Sequence, residues 1–236
     1  RFTIPKKQFF NLFIFSFVMG FLTYGCLYLA LDFSSLVSPI IIGAQLSVPF
    51  GLLLSKFMLG EKISNKKWFF IFTAFTGIVV VAYDPRFVGE IYGIIAIVMM
   101  AFFYGLANNM SRHLNEIDTV TQLGWHSIIG FIFLMLSSLV FEGNPIHNIY
   151  QLNSLSILAV LHAGLFVSLI GHGGLFYLYK FYPVATVLPY YSLFPLFGIA
   201  LTFIIFFEIP GIYEIIGGII VISSVYLIHL GNKKDN

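Results

Sequence analysis

Residues 9–31 read FFNLFIFSFVMGFLTYGCLYLAL, a run without one charged side chain. About 20 such residues, at a helical rise of roughly 1.5 Å each, cross the hydrocarbon core of a bilayer, so the stretch predicts a membrane-spanning helix. Seven similar runs follow at 36–59, 68–83, 91–110, 123–141, 156–179, 185–207 and 212–230. They are continuous, not alternating in polarity over short segments, which selects helices over a transmembrane β-barrel. Composition agrees: the 236 residues are 59% hydrophobic and 9% charged, with mean hydropathy +0.95. A soluble domain carries about 25% charged residues, and a chain with so few cannot cover a water-facing surface. The reading is an all-α, polytopic membrane helix bundle of eight spans joined by short links.

The charges orient it. Arg1, Lys6, Lys7, Lys56, Lys62, Lys66, Lys67, Arg112, Lys180, Lys233 and Lys234 fall on the side of the N-terminus, and only Arg86 falls on the other. Basic residues stay cytoplasmic, which predicts a multi-pass protein of the cell (inner) membrane with both termini inside. A missed span would invert every later loop and spoil that separation.

The two halves resemble each other. Residues 25–39, GCLYLALDFSSLVSP, parallel residues 174–189, GLFYLYKFYPVATVLP. Each copy continues through a proline (Pro49, Pro195), a glycine (Gly51, Gly198) and a glutamate ending the span (Glu61, Glu208). An odd number of crossings separates them, so equivalent loops face opposite sides, and Lys62, Lys66 and Lys67 of one copy correspond to Ile209, Tyr213 and Glu214 of the other. This is the pattern of an inverted-topology repeat, a hallmark of secondary transporters that bind substrate near the midplane. The division is 1–83 for three spans of the first repeat, 84–90 for a link, 91–231 for five spans of the second, and 232–236 for a cytoplasmic tail. On this count the first repeat lacks its first two spans within the chain.

Two stretches carry a family resemblance: GHGGLFYLYKFYPVATVLPYYSLFPLFG at 171–198, with its Lys180, Tyr182, Pro183 turn, and GEKISNKKW at 60–68. They resemble the EamA family of the drug/metabolite transporter superfamily, and within it exporters of O-acetylserine and cysteine. The resemblance implies ten spans in a five-plus-five inverted repeat, this chain aligning to the third through tenth. It also implies export of amino acids or related small polar metabolites by alternating access.

Polar groups and helix breaks inside spans are the functional candidates. Pro39, Pro49, Pro189 and Pro195 are expected to interrupt spans at equivalent positions, and paired interruptions point to a transport site. Gln45 and Ser47 lie between the first pair, and Tyr190, Tyr191 and Ser192 between the second. These residues, with Asn108 and His172, form the expected substrate-binding set; interhelical hydrogen bonding is the competing use. Asn108 and Asn109 could equally cap a helix end. His162 and His172, ten residues apart, differ by about 80° on an ideal helix and could share a cavity. His126, in the first turn of its span, is expected at the interface. Gly164, Ser168 and Gly171 form a small-residue stripe expected to let another helix approach.

The lone Cys26 excludes an intrachain disulfide, and no zinc-type Cys/His spacing, HExxH, GxSxG or nucleotide-binding loop occurs. No cofactor, metal or nucleic-acid partner is expected. The expected partners are a small-molecule substrate and the lipid bilayer, and a homodimer stays open. An inactive or partner-dependent remnant of such a carrier is the alternative, and an intramembrane enzyme is a third reading.

Overall fold

The computed structural model describes residues 6–61, 63–85, 90–143, 150, 152–188, 190 and 194–235, and no strand occurs among them. Helices run over Phe9–Phe17 (α1), Tyr24–Asp32 (α2), Ser38–Ala44 (α3), Ser47–Leu59 (α4), Asn65–Ala82 (α5), Ile91–His113 (α6) and Thr119–Phe141 (α7). They continue with Ser154–His162 (α8), Gly173–Leu178 (α9), Val184–Val187 (α10), Phe194–Phe206 (α11) and Ile212–Asp235 (α12). π-helical segments at Val18–Thr23 and Ala163–His172 join α1 to α2 and α8 to α9. Among the described residues six spans are long and apolar enough to cross a membrane: Lys6–Asp32, Ser38–Leu59, Asn65–Ala82, Ile91–His113, Thr119–Phe141 and Ser154–Leu178. The seventh and eighth expected runs contain shorter apolar helices, Phe197–Phe206 and Ile212–Ile228.

The chain forms two compact units, one of Arg1–Leu22 with Met110–Tyr182 and one of Thr23–Asn109 with Pro183–Asn236. Each takes chain from both sides of residue 90, so packing units and sequence repeats are cut differently.

In the first unit α1 packs on α7. Their backbones meet at Gly20 and Gly130: a Cβ on Gly20 would lie 2.9 Å from Gly130 Cα, and one on Gly130 would lie 2.6 Å from Gly20 O. Lipid tails are as apolar as the side chains, so helices in a bilayer associate by close van der Waals contact, and only glycine allows this approach. α7 starts at Asp118, whose carboxylate accepts the Val120 and Thr121 N–H groups. The ends of this unit are tied together, Gln8 donating to Glu116 (2.8 Å) and Arg112 to the Tyr179 carbonyl.

The largest contact in the second unit is α5 on α12. It turns on Gly77 and Gly217, where a Cβ on Gly77 would stand 2.8 Å from Gly217 O. A second crossing joins α4 to α6 at Gly51 and Gly105, a Cβ on Gly105 falling 2.8 Å from Gly51 N and 3.1 Å from Ser47 O. α4 ends at Gly60, which takes the left-handed conformation (φ 69°) that closes a helix.

Three loops of this unit converge on the start of α3. Ser35 donates its hydroxyl to Glu90 (2.6 Å). Glu208 accepts the Val37 and Ser38 N–H groups at 2.9 and 3.1 Å, and Glu214, 1% exposed, accepts the Ser38 hydroxyl. These carboxylates satisfy donors that a helix start leaves without intrahelical partners, and their charge suits that end of the helix dipole. Phe207, at φ 56°, turns the chain out of α11 so that Glu208 reaches back.

Several expectations change. Pro39 does not interrupt a span: it lies in the first turn of α3, where the missing N–H has no intrahelical acceptor to lose. Pro195 is the second described residue of α11, and residues 191–193 before it lie outside the described residues. His126 is not interfacial but 2% exposed within the first unit. The Gly164, Ser168, Gly171 stripe receives no helix: a Cβ on Gly164 meets nothing within 4 Å, and one on Gly171 meets only its own segment at Phe166 O. The glycines that do bring helices together are Gly20, Gly51, Gly77, Gly105, Gly130 and Gly217.

Candidate functional site

The site begins with a missing hydrogen. In an unbroken helix the N–H of residue 49 would donate to the Gln45 carbonyl, but proline has none and its ring crowds that oxygen. The chain tightens instead. Gln45 N–H donates to Ile42 O (3.1 Å), Leu46 N–H to Gly43 O (3.0 Å) and Val48 N–H to Gln45 O (3.1 Å), all three residues back. The four-residue pattern resumes with Phe50 N–H on Leu46 O (3.0 Å). Pro49 thus breaks the span Ser38–Leu59 into α3 and α4 near its middle, and Gln45 and Ser47 sit at the break.

Both residues are fully buried, and neither Gln45 Oε1, Gln45 Nε2 nor Ser47 Oγ has a hydrogen-bond partner. Four other hydroxyls in the spans avoid this by bonding their own helix: Ser16 to Leu12 O, Ser55 to Leu52 O, Thr76 to Phe72 O and Ser224 to Ile220 O; at the start of α7, Thr119 Oγ1 and Thr121 Oγ1 do not. An unpaired polar group in an apolar interior costs roughly 1–3 kcal/mol on protein scales and more in hydrocarbon. At Gln45 the carbonyl and the amide are both left open.

Two asparagines join the cluster across the α4–α6 crossing. Asn109 Nδ2 donates to Gly51 O (2.9 Å) and Gly105 O (2.8 Å), stapling the two helices one turn from Ser47. Asn108 Nδ2 donates to Tyr104 O (2.8 Å). Neither caps a helix end. Both are fully buried, and the Oδ1 atom of each has no partner. The arrangement therefore offers one amide donor pair, three amide oxygens and a hydroxyl, with no charged side chain among them. It can hydrogen-bond a polar solute; it holds no nucleophile with an adjacent base.

Of the other expected residues, Tyr190 is 57% exposed in the second unit, and His172 belongs to the first unit. Pro189, Tyr191 and Ser192 lie outside the described residues. The α-helical angle between His162 and His172 does not apply, because Ala163–His172 is π-helical. His162 is exposed and stacks on Phe166 (5.4 Å), whereas His172 faces His126. Asn109 and His126 are the residues sequence reading undervalued, and only the helix crossings reveal them. A cleft lined by Pro39, Gly43, Ile78, Gly93 and Ile97 has about 10 Å³ of free volume, room for a water and not for a metabolite. No group of three or more His, Cys, Asp or Glu suited to a metal occurs among the described residues.

Residues 91–230, more than half of the chain, match the EamA-like transporter family. One solved structure, described only as "Crystal structure of protein", superposes with a TM-score of 0.69 over 97% of this chain and 79% of that one. At 17% identity it establishes a shared fold alone. No curated protein matches the chain.

Proposed function

Since the chain belongs to the EamA-like transporter family and is a multi-pass membrane protein, we propose that it is a secondary transporter of small polar metabolites, amino acids or their derivatives foremost. The observation that carries this is the open hydrogen-bonding capacity of Gln45, Ser47 and Asn108 beside the Pro49 break. Buried groups of that kind are tolerated in a membrane interior where a polar solute or water completes them. The set suits an uncharged or zwitterionic solute, because the cluster supplies dipoles and no formal charge. His172, Tyr190, Tyr191 and Ser192 remain further candidates from the second repeat in this reading, with Pro189 and Pro195 as its candidate helix interruptions.

Export by alternating access, through an eight-span chain in the cell membrane with both termini cytoplasmic, is part of the same reading. The loop contacts support its parity. In the second unit Ser35, Glu90 and Glu208, assigned to the outer side by charge, hydrogen-bond to one region. In the first unit Gln8 meets Glu116 and Arg112 meets Tyr179, all assigned to the inner side. The inverted repeat, with three spans before residue 84 and five after residue 90, and the likeness to O-acetylserine and cysteine exporters belong to this proposal as well.

The test is efflux of labelled cysteine, O-acetylserine and a panel of other amino acids from cells expressing the protein. Gln45→Leu and Ser47→Ala are each expected to cut flux of the transported solute at least about tenfold, the loss of one well-placed hydrogen bond, with membrane insertion unchanged. Flux that survives both substitutions overturns the site, and absence of flux across the panel from well-inserted protein overturns amino-acid transport.

A further inference from the structure

Four rings meet inside the first unit. Phe15 comes from α1, His126 from α7, His172 from the end of the π-helical segment and Phe176 from α9. His126 is 2% exposed, and Phe15 and Phe176 are fully buried. The two imidazoles stand 6.5 Å apart, edge to face at 78°. Phe176 lies 6.0 Å from His126 and 6.2 Å from His172, and Phe15 packs on both His126 (6.4 Å) and Phe176 (5.4 Å). Two elements from different spans thus bring their histidines together, with phenyl rings shielding them.

No formally charged side chain lies within the spans around the pair. Residues 9–31, 119–141 and 154–178 contain no Asp, Glu, Lys or Arg. α1 contributes no titratable side chain, and α7 contributes His126 alone. The α8–α9 span contributes His172, with Tyr177 (56% exposed) and the exposed His162, and the fully buried Tyr179 follows it. The formal charges are at helix ends: Arg112 on the Tyr179 carbonyl, Glu116 on Gln8, and Asp118 capping α7. Gln122 does not serve the rings with its side chain, whose amide donates to Leu114 O and Ile117 O and whose oxygen accepts the Ser111 hydroxyl. Its backbone carbonyl lies 3.3 Å from His126 Nδ1. Donation of an Nδ1 hydrogen there assigns the lone pair of that ring to Nε2.

We propose that His126 and His172 form a single proton-binding site that makes solute flux depend on pH. The dependence on flux rests on the transporter reading; the proton site itself does not. The proton comes from bulk water and adds to the unprotonated ring nitrogen of one imidazole. A second proton would set two like charges about 6 Å apart in a low-dielectric interior, so the pair holds one and titrates as a unit. A bundle that gains a charge in its interior changes the relative stability of its packed arrangements, which is how an ion biases alternating access.

The decisive measurement is ¹⁵N NMR of imidazole-labelled protein in lipid nanodiscs from about pH 4 to 9, the range a histidine samples. Wild type is compared with His126→Phe and His172→Phe, which keep an aromatic ring in the cluster. The expected result is that two of the six histidines share one proton, and that replacing either ring moves the midpoint of the other by more than about one pH unit. Rings that stay neutral throughout, or midpoints indifferent to the partner, overturn the proposal. In the same nanodisc preparation fused to liposomes, solute flux is expected to change with pH across that midpoint, and the dependence to vanish in His126→Phe. Flux in wild type that ignores pH also overturns it. No flux at all counts against the transporter reading alone, because the titration decides the proton site without a solute.

Discussion

The spans Ser38–Leu59 and Ser154–Leu178 look alike as strings of apolar residues, and the second is the more apolar. Their surroundings differ: over the 18-residue apolar stretch of each, 72% of the first is buried inside the protein and none of the second, whose buried Gly173 and Phe176 lie beyond that stretch. The first is held by a glutamate clasp at its start, crossed at Gly51 by α6, and broken at Pro49. The second contains as many small residues, yet a Cβ on Gly164 or Gly174 would meet nothing within 4 Å. Hydropathy reports the solvent a helix can tolerate, and lipid is as acceptable to it as a neighbour's side chains. What separates the two is where glycines on different helices coincide and where a buried polar group has work beyond its own helix.

Substitutions that overfill a crossing should divide the two classes most sharply. Gly217→Leu would drive a side chain against the Gly77 carbonyl, 2.5 Å from the new Cβ. Backbone cannot yield as a flexible side chain does, so a loss above the roughly 1–3 kcal/mol of ordinary overpacking is expected. It should register as aggregation on size-exclusion chromatography in detergent. Gly164→Leu, with open space around it, should stay within about 0.5 kcal/mol of wild type. Equal damage from both would erase the distinction drawn between the spans. A lipid bearing a photoreactive tail sharpens it further: labelling should circle 154–171 and be sparse over 38–59.

The glutamate clasp comes next. Glu208→Gln keeps the shape and removes the charge from bonds to two backbone N–H groups. Charged acceptors are worth about 1–3 kcal/mol, so the thermal midpoint should fall and amide exchange at Val37 and Ser38 should quicken. Unchanged exchange there would mean the clasp does not hold the start of α3. Gln45→Leu should move stability the other way. Removing an amide whose two polar atoms lack partners is neutral or stabilising by about 1 kcal/mol, while flux falls. A clear destabilisation would show that Gln45 is a structural residue. The smallest effect is expected at Phe207. Asn tolerates positive φ better than a bulky aromatic residue, so Phe207→Asn should raise the midpoint by up to about 1 kcal/mol in equivalent stability.

Much of this architecture was legible in the chain because the bilayer imposes it locally. A run such as 91–110 must be a helix wherever it lies, since no water is present to satisfy its backbone. Ile91–His113 accordingly begins where the run begins, and the described ends of the other long spans fall within a few residues of expectation. The Pro49 break was also readable, because a missing N–H acts on the residue four positions back. What misled was reasoning from position to environment. Pro39 lies inside an apolar run but at a helix start, where proline breaks nothing. His126 lies near the start of its span, yet a crossing helix covers it. The His162–His172 angle assumed α-geometry through a segment that is π-helical.

The sequence by itself determined the class of the molecule: helices in lipid, the approximate limits of the long ones, and a family whose members transport. Each follows from the cost of exposing backbone or charge to hydrocarbon, which any single segment feels alone. The tertiary structure decided which glycines became crossings, which histidines became a pair, and that Gln45, Ser47 and the Asn108 and Asn109 side-chain oxygens beside the Pro49 break found no partner. Those outcomes depend on contacts between residues as far apart as 77 and 217. Close packing depends on which surfaces coincide, and no single segment carries that information.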